Sequence, residues 1–483
     1  MKKILLLAVV CLLCLPLSLS AYNGQLSFKN GKFKIVQFTD IHWDNKSPNS
    51  AKTAETIQSV IKAEQPDVAI LTGDVVTSAP GVEGWKAIIN IFDGAKIPYA
   101  VLMGNHDAEV VAKGEIYDML LRSPYFVGAK GPENIRGCGN YILPVYGSKN
   151  KQKIAALLYC IDSNDYPTLK EYGHYDWIHF DQIAWYRDQS TKYTQANGGK
   201  TYPALAFFHI PLPEYYKVGR SDTKLGVMNE GAVASPDINT GMFASFIEMG
   251  DVMGVFAGHD HDNDFIGLNF DIALAYGRVT GADAYGDLVR GGRVIELSEG
   301  QRGFDTWITT PAGREYVYYY PSGLNSKDEE TMTYLPAKNV KPKQHGVAYT
   351  YYEGKFKQTD QIAAGTKLKE GTMKNFSIKE APAKDHFAYD FRTLVNIPED
   401  GVYRFYTFSD DGSKLFIDGH MVVDNDGGHN DRQRKGMVAL KAGFHELRVL
   451  YFEDYMGEML EVGVSSRKIK ESVLPDDMLY LPE

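Results

Sequence analysis

From Phe33 to about Gly300, short apolar runs alternate with stretches in which apolar positions recur every three or four residues. The short runs are rich in β-branched and aromatic residues, which is typical of buried strands. Six are predicted as strands: Lys34–Thr39, Val68–Thr72, Tyr99–Met103, Ile154–Ile161, Ala204–His209 and Val252–Ala257. Four helices are predicted between them: Ala51–Glu64, Gly84–Gly94, Glu109–Leu121 and Phe180–Ala196. This alternation predicts an α/β domain whose sheet is covered by helices on its outer faces.

The pattern changes after residue 321. Residues 322–344 are polar, which predicts a linker between a first domain, residues 21–321, and a second. In residues 345–483, short alternating strands are separated by Gly, Asp and Asn turns roughly every 8–12 residues. No long helix-period segment interrupts them, so this part predicts an antiparallel β-sandwich or barrel.

The first twenty residues have a composition of their own. Lys2 and Lys3 precede an apolar run that ends at Leu17, and the small residues Ser18 and Ser20 follow. This predicts a secretory signal peptide over residues 1–20, and therefore a secreted or periplasmic protein. A retained membrane anchor is the alternative, but the run is short for a span, and we expect no membrane span in the mature protein.

Charge narrows the classes of partner. The 483 residues carry a formal charge of −10, and removal of two lysines with the signal peptide lowers it to about −12. A net acidic protein is a poor candidate for binding nucleic acid or anionic membranes. We therefore expect no nucleic-acid partner.

Two cysteines remain in the mature chain, Cys138 and Cys160. They lie on the arms of a predicted hairpin around residues 147–150, in a register that places them opposite each other. A cross-strand disulfide and a pair of free buried thiols are both consistent with this pattern.

Five short motifs follow the ends of predicted strands. In chain order they are Asp40-Ile-His42, Gly73-Asp74, Gly104-Asn105-His106-Asp107, His209 and Gly258-His259-Asp260-His261. Each motif alone is a weak signal. Because ligands gather beyond the carboxyl ends of parallel strands, the five together predict one site.

Two divalent ions about 3.5–4 Å apart need a shared anionic ligand, and Asp74 is placed to supply it. Asp40 and His42 can face one ion only if their strand twists or ends there, whereas His259 and His261 can serve different ions. Asn105 adds a neutral amide oxygen and His209 an imidazole. Imidazole with oxygen ligands suits Zn, Fe, Mn or Ni better than Ca.

A water bridging such ions becomes a hydroxide nucleophile near neutral pH. His106 can then donate a proton to the leaving oxygen, with Asp107 holding its tautomer. Arg278 follows the last metal motif and is either a bidentate contact to the substrate phosphate or a surface arginine in a hairpin.

These motifs, over residues 30–300, resemble the calcineurin-like metallophosphoesterase family, in its branch of secreted phosphatases related to purple acid phosphatases. The resemblance implies a four-layer α/β/β/α sandwich. It also implies one ion held by Asp40, His42, Asp74 and His261, and a second held by Asp74, Asn105, His209 and His259. Purple acid phosphatases carry a tyrosine ligand soon after the position of Asp74, and residues 73–77 have no Tyr. This difference counts against a purple, ferric centre.

Residues 346–464 resemble the PA14 domain, through Gly401-Val-Tyr-Arg-Phe405, Ser409-Asp410-Asp411-Gly412 and Leu440-Lys-Ala-Gly443. Some members of that family bind carbohydrate through calcium held by paired aspartates. Asp410 and Asp411 are thus either calcium and glycan ligands or a tight turn between strands.

The sequence therefore predicts a dinuclear-metal hydrolase of phosphate esters, with phosphomonoesters favoured as substrates. The alternative is a glycan-binding or adhesion protein in which the PA14-like module dominates function.

Overall fold

A computed structural model describes Tyr22 and residues 24–482, so the predicted signal peptide lies outside the described residues. The chain divides into two compact units between Glu315 and Tyr316, a division that falls within strand β12 (Gly313–Tyr320). In the part of the chain that the structure describes, no helix combines the length and the apolar character needed to cross a membrane.

The first unit contains two sheets and most of the helices. Its other strands are β1 Lys32–Phe38, β2 Val68–Thr72, β3 Tyr99–Leu102, β4 Tyr141–Tyr146, β5 Ile154–Cys160, β6 Ala204–Phe207, β7 Val252–Ala257, β8 Ile266–Asn269, β9 Ile272–Tyr276, β10 Gly292–Ser298 and β11 Phe304–Thr310. Its helices are α1 Ser50–Glu64, α2 Gly81–Ala95, α3 Asp107–Val110, α4 Lys113–Leu120, α5 Phe180–Ala196, α6 Tyr215–Gly219 and α7 Met242–Met249.

Among the strands that lie wholly within this unit, the order is β11-β10-β1-β2-β3 in the first sheet and β4-β5-β6-β7-β9-β8 in the second. Strands β1, β2 and β3 are parallel, as are β5, β6, β7 and β9. The carboxyl ends of β1, β2 and β3 therefore share one edge of the first sheet, and those of β6 and β7 share one edge of the second.

The two sheets pack against each other with helices outside. Helix α1 contacts β1, β10 and β11, whereas α7 contacts β7 and α5. Between the sheets, Gln37 Nε2 donates a hydrogen bond of 3.0 Å to the Ala257 carbonyl. The rings of Phe256 and Phe304 also meet there, 5.7 Å apart between centroids. The predicted α/β/β/α sandwich is confirmed.

Most predicted elements of this unit lie where the hydrophobic pattern places them, and α5 spans the same residues as its prediction. One helix differs. The predicted helix Glu109–Leu121 is two helices, because Val111 (φ −148°, ψ 137°) and Ala112 (φ −60°, ψ 136°) have extended backbones. The first of these helices, α3, begins at Asp107, directly beside the predicted catalytic histidine.

Cys138 and Cys160 are free thiols. Strand β4 begins only at Tyr141, and that residue is the partner of Cys160 in the β4–β5 pairing. A register shift between Val145 and Tyr146 moves the hairpin away from the alignment that we predicted. The disulfide alternative is therefore wrong.

The second unit is an all-β domain. Its strands are β13 Leu324–Asn325, β14 Val347–Glu353, β15 Thr366–Met373, β16 Phe387–Ile397, β17 Gly401–Asp410, β18 Ser413–Ile417, β19 His420–Asn425, β20 Arg432–Leu440, β21 Gly443–Glu453, β22 Met459–Ser466, β23 Ser472–Val473 and β24 Leu479–Tyr480, with one helix, α8 Ser326–Thr331. One sheet has the order β15-β14-β16-β21-β18-β19, with β24 beside β16, and the other has the order β20-β17-β22-β23.

The strands of these two sheets pair antiparallel and enclose an apolar core that includes Tyr351, Phe391, Phe405 and Val449. The predicted all-β architecture is confirmed. Residues 322–344, the predicted linker, contain α8. Within the same unit, the backbone N–H of Leu335 donates to the Ala439 carbonyl at 2.9 Å, and that of Lys338 donates to the Phe444 carbonyl at 2.8 Å.

Candidate metal centre

The predicted ligands lie just beyond strand ends of both sheets in the first unit. Strands β1, β2 and β3 of the first sheet lead to Asp40, Asp74 and Asn105. Strands β6 and β7 of the second sheet lead to His209 and His259. Because the sheets are packed face to face, both sets of side chains converge at one site.

Several of these residues have a left-handed backbone, which is uncommon for residues other than glycine. The φ angles are 52° at Asp40, 45° at His42, 48° at Asp74 and 83° at His259. Strand β1 has ended by Phe38, so Asp40 and His42 are free to point to the same side. Such conformations concentrate at functional sites, where surrounding contacts must hold them.

Six of the side chains form two groups in which the ligand atoms lie within 4.8 Å of one another. Asp40, His42 and His261 make one group, and Asp74, His209 and His259 make the other. The histidines two residues apart in the last motif thus join different groups, as we predicted from the sequence.

Asp74 lies between the two groups. Its Oδ2 is 3.7 Å from His42 Nε2 in the first group and 3.3 Å from His209 Nε2 in its own group. Asn105 completes the second group, since its Oδ1 is 3.2 Å from His209 Nε2. This is the geometry of a carboxylate shared by two cations.

The orientation of His209 is set by the backbone. Its Nδ1 is 2.8 Å from the Thr72 carbonyl, and a carbonyl oxygen only accepts, so Nδ1 donates and Nε2 faces the site. Gly73 makes this possible, because a Cβ at that position would come within 2.5 Å of His209 Nδ1. The absence of a side chain at Gly73 thus makes room for the imidazole.

The buried charges of the cluster favour bound cations. Burial opposes ionisation of Asp40, but His261 and His209 lower its pKa to about 2. Burial likewise opposes ionisation of Asp74, but His209 and His42 hold its pKa well below the ordinary range. Both carboxylates are therefore anionic at neutral pH, within a region that excludes water.

The imidazoles are suited to the same purpose. Burial lowers the pKa of His42 to about 4, and burial together with His209 lowers the pKa of His259 to about 3, so both rings are neutral. Three ring nitrogens face the cluster. His42 Nε2 is buried and has no hydrogen-bond partner among the described residues, His259 Nδ1 lies 3.2 Å from His209 Nε2, and His261 Nε2 lies 3.4 Å from Asp40 Oδ1. Four imidazoles beside two carboxylates and an amide fit a pair of divalent transition-metal ions.

His106 lies at the edge of this cluster, with its ring centroid 6.0 Å from that of His42 and its side chain 39% exposed. We expected Asp107 to hold the tautomer of His106, and this prediction is wrong. The Asp107 carboxylate is buried and accepts hydrogen bonds from three backbone N–H groups, those of Val75 (2.9 Å), Val76 (3.0 Å) and Gly104 (2.7 Å). Asp107 thereby ties together the loops that carry Asp74 and Asn105.

The partner of His106 is Glu109, three residues further along the chain. Glu109 Oε1 is 3.0 Å from His106 Nδ1, and it also accepts a hydrogen bond of 3.1 Å from the Tyr166 hydroxyl. That hydroxyl in turn accepts a hydrogen bond of 2.9 Å from Asn105 Nδ2, which leaves Asn105 Oδ1 facing His209. Sequence analysis missed Glu109; its i, i+3 spacing from His106 is the signal that was available.

Three tyrosines surround the cluster, and sequence analysis missed them too. Tyr166 contacts Asn105 as described. Tyr175 packs edge-on to His259 with ring centroids 4.4 Å apart, and Tyr285 stacks on His261 at 3.8 Å. All three come from loops, where no periodic pattern identifies them.

Arg278 does not face this site. Its buried guanidinium donates to Asp264 Oδ2 (3.0 Å from Nε), to the Val289 carbonyl (2.8 Å) and to Glu315 Oε2 (3.0 Å). Because Nε and both terminal nitrogens of the guanidinium already donate to protein groups, the predicted contact to a substrate phosphate is wrong.

Asp410 and Asp411 lie in the second unit, where Asp411 occupies the turn between β17 and β18. Together with Glu453 they form a third group whose ligand atoms lie within 4.8 Å of one another, and all three residues are buried. Burial, and then Asp411 and Asp410, raise the pKa of Glu453 to about 8. Glu453 Oε1 has no hydrogen-bond partner in the described chain. The two interpretations from the sequence, a cation site and a tight turn between strands, are therefore both consistent with the position of Asp410 and Asp411.

Comparisons with known proteins agree with this geometry. Residues 33–263 match the family description "Calcineurin-like phosphoesterase", and residues 343–478 match "PA14 domain". A relative from Arabidopsis thaliana, "Probable inactive purple acid phosphatase 29", is 33% identical over 312 residues, which are 58% of this chain and 80% of the relative.

Two further proteins are similar to about the same share of the chain. "Phosphatase DCR2" of Saccharomyces cerevisiae is 29% identical over 345 residues, covering 62% of this chain and 58% of that protein. A solved dimetal phosphatase from Danio rerio covers 58% of this chain and 96% of its own, with 10% identity and a TM-score of 0.43. The family match, the 33% identical relative and the converging ligands lead to one conclusion: this chain belongs to the calcineurin-like phosphoesterase family and carries a PA14 domain.

Proposed function

We propose that this protein is a secreted or periplasmic dinuclear-metal phosphoesterase that hydrolyses phosphate esters, phosphomonoesters above all. One observation supports the proposal most strongly: two groups of ligand atoms, each drawn from both sheets, lie on either side of the Asp74 carboxylate, which is therefore placed to be shared by two ions. The proposed location rests on the basic and apolar pattern of residues 1–20.

Two divalent ions held by these groups would polarise a phosphate ester and lower the pKa of water to near neutrality. The chain holds the ligands ready for this purpose. Asp107 fixes the loops of Asp74 and Asn105, and the Thr72 carbonyl fixes the ring of His209. Preorganised ligands avoid the cost of rearrangement when the substrate binds.

His106 is the residue that we propose to protonate the leaving oxygen. Since a carboxylate only accepts hydrogen bonds, the contact with Glu109 places a proton on Nδ1 and leaves Nε2 available to the substrate. Glu109 is thus a positioning residue in this mechanism, and His106 donates the proton.

The relative from Arabidopsis thaliana carries the word "inactive" in its name, and that word describes the relative. In this chain every side chain of the two groups is present, together with Asn105 and His106. We therefore propose an active enzyme.

The test is to purify the full chain, measure its bound metal, and assay one phosphomonoester and one phosphodiester with Zn²⁺, Fe²⁺, Mn²⁺ or Ni²⁺ added. We expect about two ions per chain and faster hydrolysis of the monoester. A chain that binds no metal and cleaves neither ester would end the proposal.

A second function is favoured by the third carboxylate group. Three buried carboxylates at such short separation repel one another unless a cation is bound, and hard oxygen ligands suit Ca²⁺. We propose that Asp410, Asp411 and Glu453 hold calcium and that the second unit binds a glycan through it. A glycan array probed with the full chain, with and without Ca²⁺, tests this; calcium-independent binding would contradict the assignment.

A further inference from the structure

A cavity of about 540 Å³ in the first unit is not used by the mechanism above. Its lining consists of Tyr166, Pro167, Lys170, Glu171, Gly173, His174, Tyr175 and Asp237. Most of these residues belong to the loop between β5 and α5. The volume lies within the range of sites that bind small organic molecules, roughly 300–1,000 Å³.

The cavity adjoins the metal centre through two of its walls. Tyr166 is hydrogen-bonded to Asn105 at 2.9 Å, and the Tyr175 ring lies 4.4 Å from the His259 ring between centroids. The organic substituent of a phosphate ester bound at the metal centre is therefore directed either to solvent or into this cavity.

Three charged side chains of the cavity are free to bind a ligand. The side chains of Lys170, Glu171 and Asp237 make no hydrogen bond or ion pair with another described residue. Asp237 lies close against the backbone of Gly173, where a Cβ would come within 2.2 Å of its Oδ2. Gly173 has φ of +115°, a conformation that L side chains rarely adopt, so a small residue is required beside this carboxylate.

The chemistry of the lining selects among organic substituents. Carboxylates only accept hydrogen bonds and an ammonium only donates them, whereas a hydroxyl does both. A purely apolar group would desolvate Glu171 and Asp237 without replacing their lost hydrogen bonds, which is costly. A second anionic group would be repelled by the same two carboxylates.

We propose that this cavity binds the alcohol part of the substrate and that this part is an uncharged, hydroxyl-rich ring, as in a sugar phosphate or an inositol phosphate. The rings of Tyr166 and Tyr175 cover the carbon framework of the ligand, while Asp237, Glu171 and Lys170 bind its hydroxyls. This inference rests on the proposed phosphoesterase activity and makes Asp237 a specificity-determining residue.

The experiment compares two esters with the same kind of leaving group, a hexose 6-phosphate and ethyl phosphate, both hydrolysed by the metal-loaded full chain. We expect a larger kcat/KM for the hexose ester. Asp237→Asn should reduce this preference by about tenfold, since a hydrogen bond to a charged group is lost. The matched control is Asp188→Asn, an exposed carboxylate on α5 that pairs with Lys192 and does not line the cavity; it should keep the preference.

A readout independent of turnover is saturation-transfer NMR of the hexose ester with the chelator-treated chain. The ring protons should receive saturation from the wild-type protein and less from Asp237→Asn. Equal signals from both proteins, or an equal loss of kcat/KM for both esters, would overturn the cavity proposal. Hydrolysis of both esters at equal kcat/KM by the wild type would overturn it alone, whereas hydrolysis of neither would overturn the phosphoesterase proposal with it.

Discussion

The contact between His106 and Glu109 leads to the sharpest test of the mechanism. Glu109→Ala removes the acceptor of the His106 Nδ1 proton, at present 3.0 Å away. Hydrogen bonds to charged groups contribute about 1.5–3 kcal/mol, and the exposure of both side chains puts this one at the lower end. A loss of about 1.5 kcal/mol in the transition state corresponds to a roughly tenfold lower kcat.

Glu109→Gln keeps a neutral acceptor. Because charge-assisted hydrogen bonds are roughly twice as strong as neutral ones, we expect about half of the free-energy loss, and kcat lower by about threefold. Folding stability should change by less than about 1 kcal/mol in either variant, since exposed pairs contribute little. Glu115→Ala, an exposed carboxylate on α4, is the matched control and should leave kcat unchanged.

The assay measures kcat for ethyl phosphate and for p-nitrophenyl phosphate, with bound metal quantified in each variant. The ethoxide leaving group needs a proton from His106, whereas p-nitrophenolate leaves as a stable anion. The losses should therefore appear with ethyl phosphate and nearly vanish with p-nitrophenyl phosphate. Equal losses on both substrates, or loss of metal, would refute the positioning role of Glu109.

Five further outcomes are expected, one of them that of a matched control. Asp74→Ala should abolish activity and metal binding while circular dichroism shows a folded chain; retained turnover would contradict the role of a shared ligand. His106→Ala should lower kcat for alkyl esters by at least about 100-fold, with metal content preserved as measured by atomic emission. Gly104→Ala places a Cβ within 2.1 Å of Asp74 Oδ1, so it should lower the free energy of unfolding by about 1–3 kcal/mol and weaken metal binding. Gly114→Ala meets nothing within 4 Å in helix α4 and should be neutral or stabilising in the same denaturation assay. Chelation of bound metal should lower the Tm of the wild-type chain by mass action and leave that of Asp74→Ala unchanged.

The residue pattern predicted an α/β domain with helices on its outer faces, the family resemblance supplied the two-sheet layering, and the motifs predicted which candidate ligands lie close together. Buried parallel strands are continuous apolar runs, so β2 was predicted with the bounds that the structure has. The bounds of helix α5 were also predicted correctly. The ligands follow such strands directly, and topology brings strand ends to one edge. The break of the predicted helix at Val111 and Ala112 has no marker in the sequence, because neither residue is a helix breaker.

Side-chain partners were harder to predict than positions. Asp107 and Glu109 are both acidic neighbours of His106, and only the backbone turn at the start of α3 decides which one meets the imidazole. Arg278 was ambiguous for a similar reason, since its partner Asp264 is one of many carboxylates near the last motif. Tyr166 and Tyr175 come from a loop whose path no local pattern specifies.

The order of strands in the first sheet has a consequence for synthesis of the chain. Strand β1 pairs with β2 on one side and, on the other, with β10, whose residues Gly292–Ser298 are translated long after Lys32–Phe38. Until those residues leave the ribosome, the edge of β1 that pairs with β10 has no partner strand, and its backbone hydrogen-bonding groups stay unpaired. Nascent chains stalled before Gly292 should therefore be cut readily by protease, and chains stalled past Thr310 should resist it.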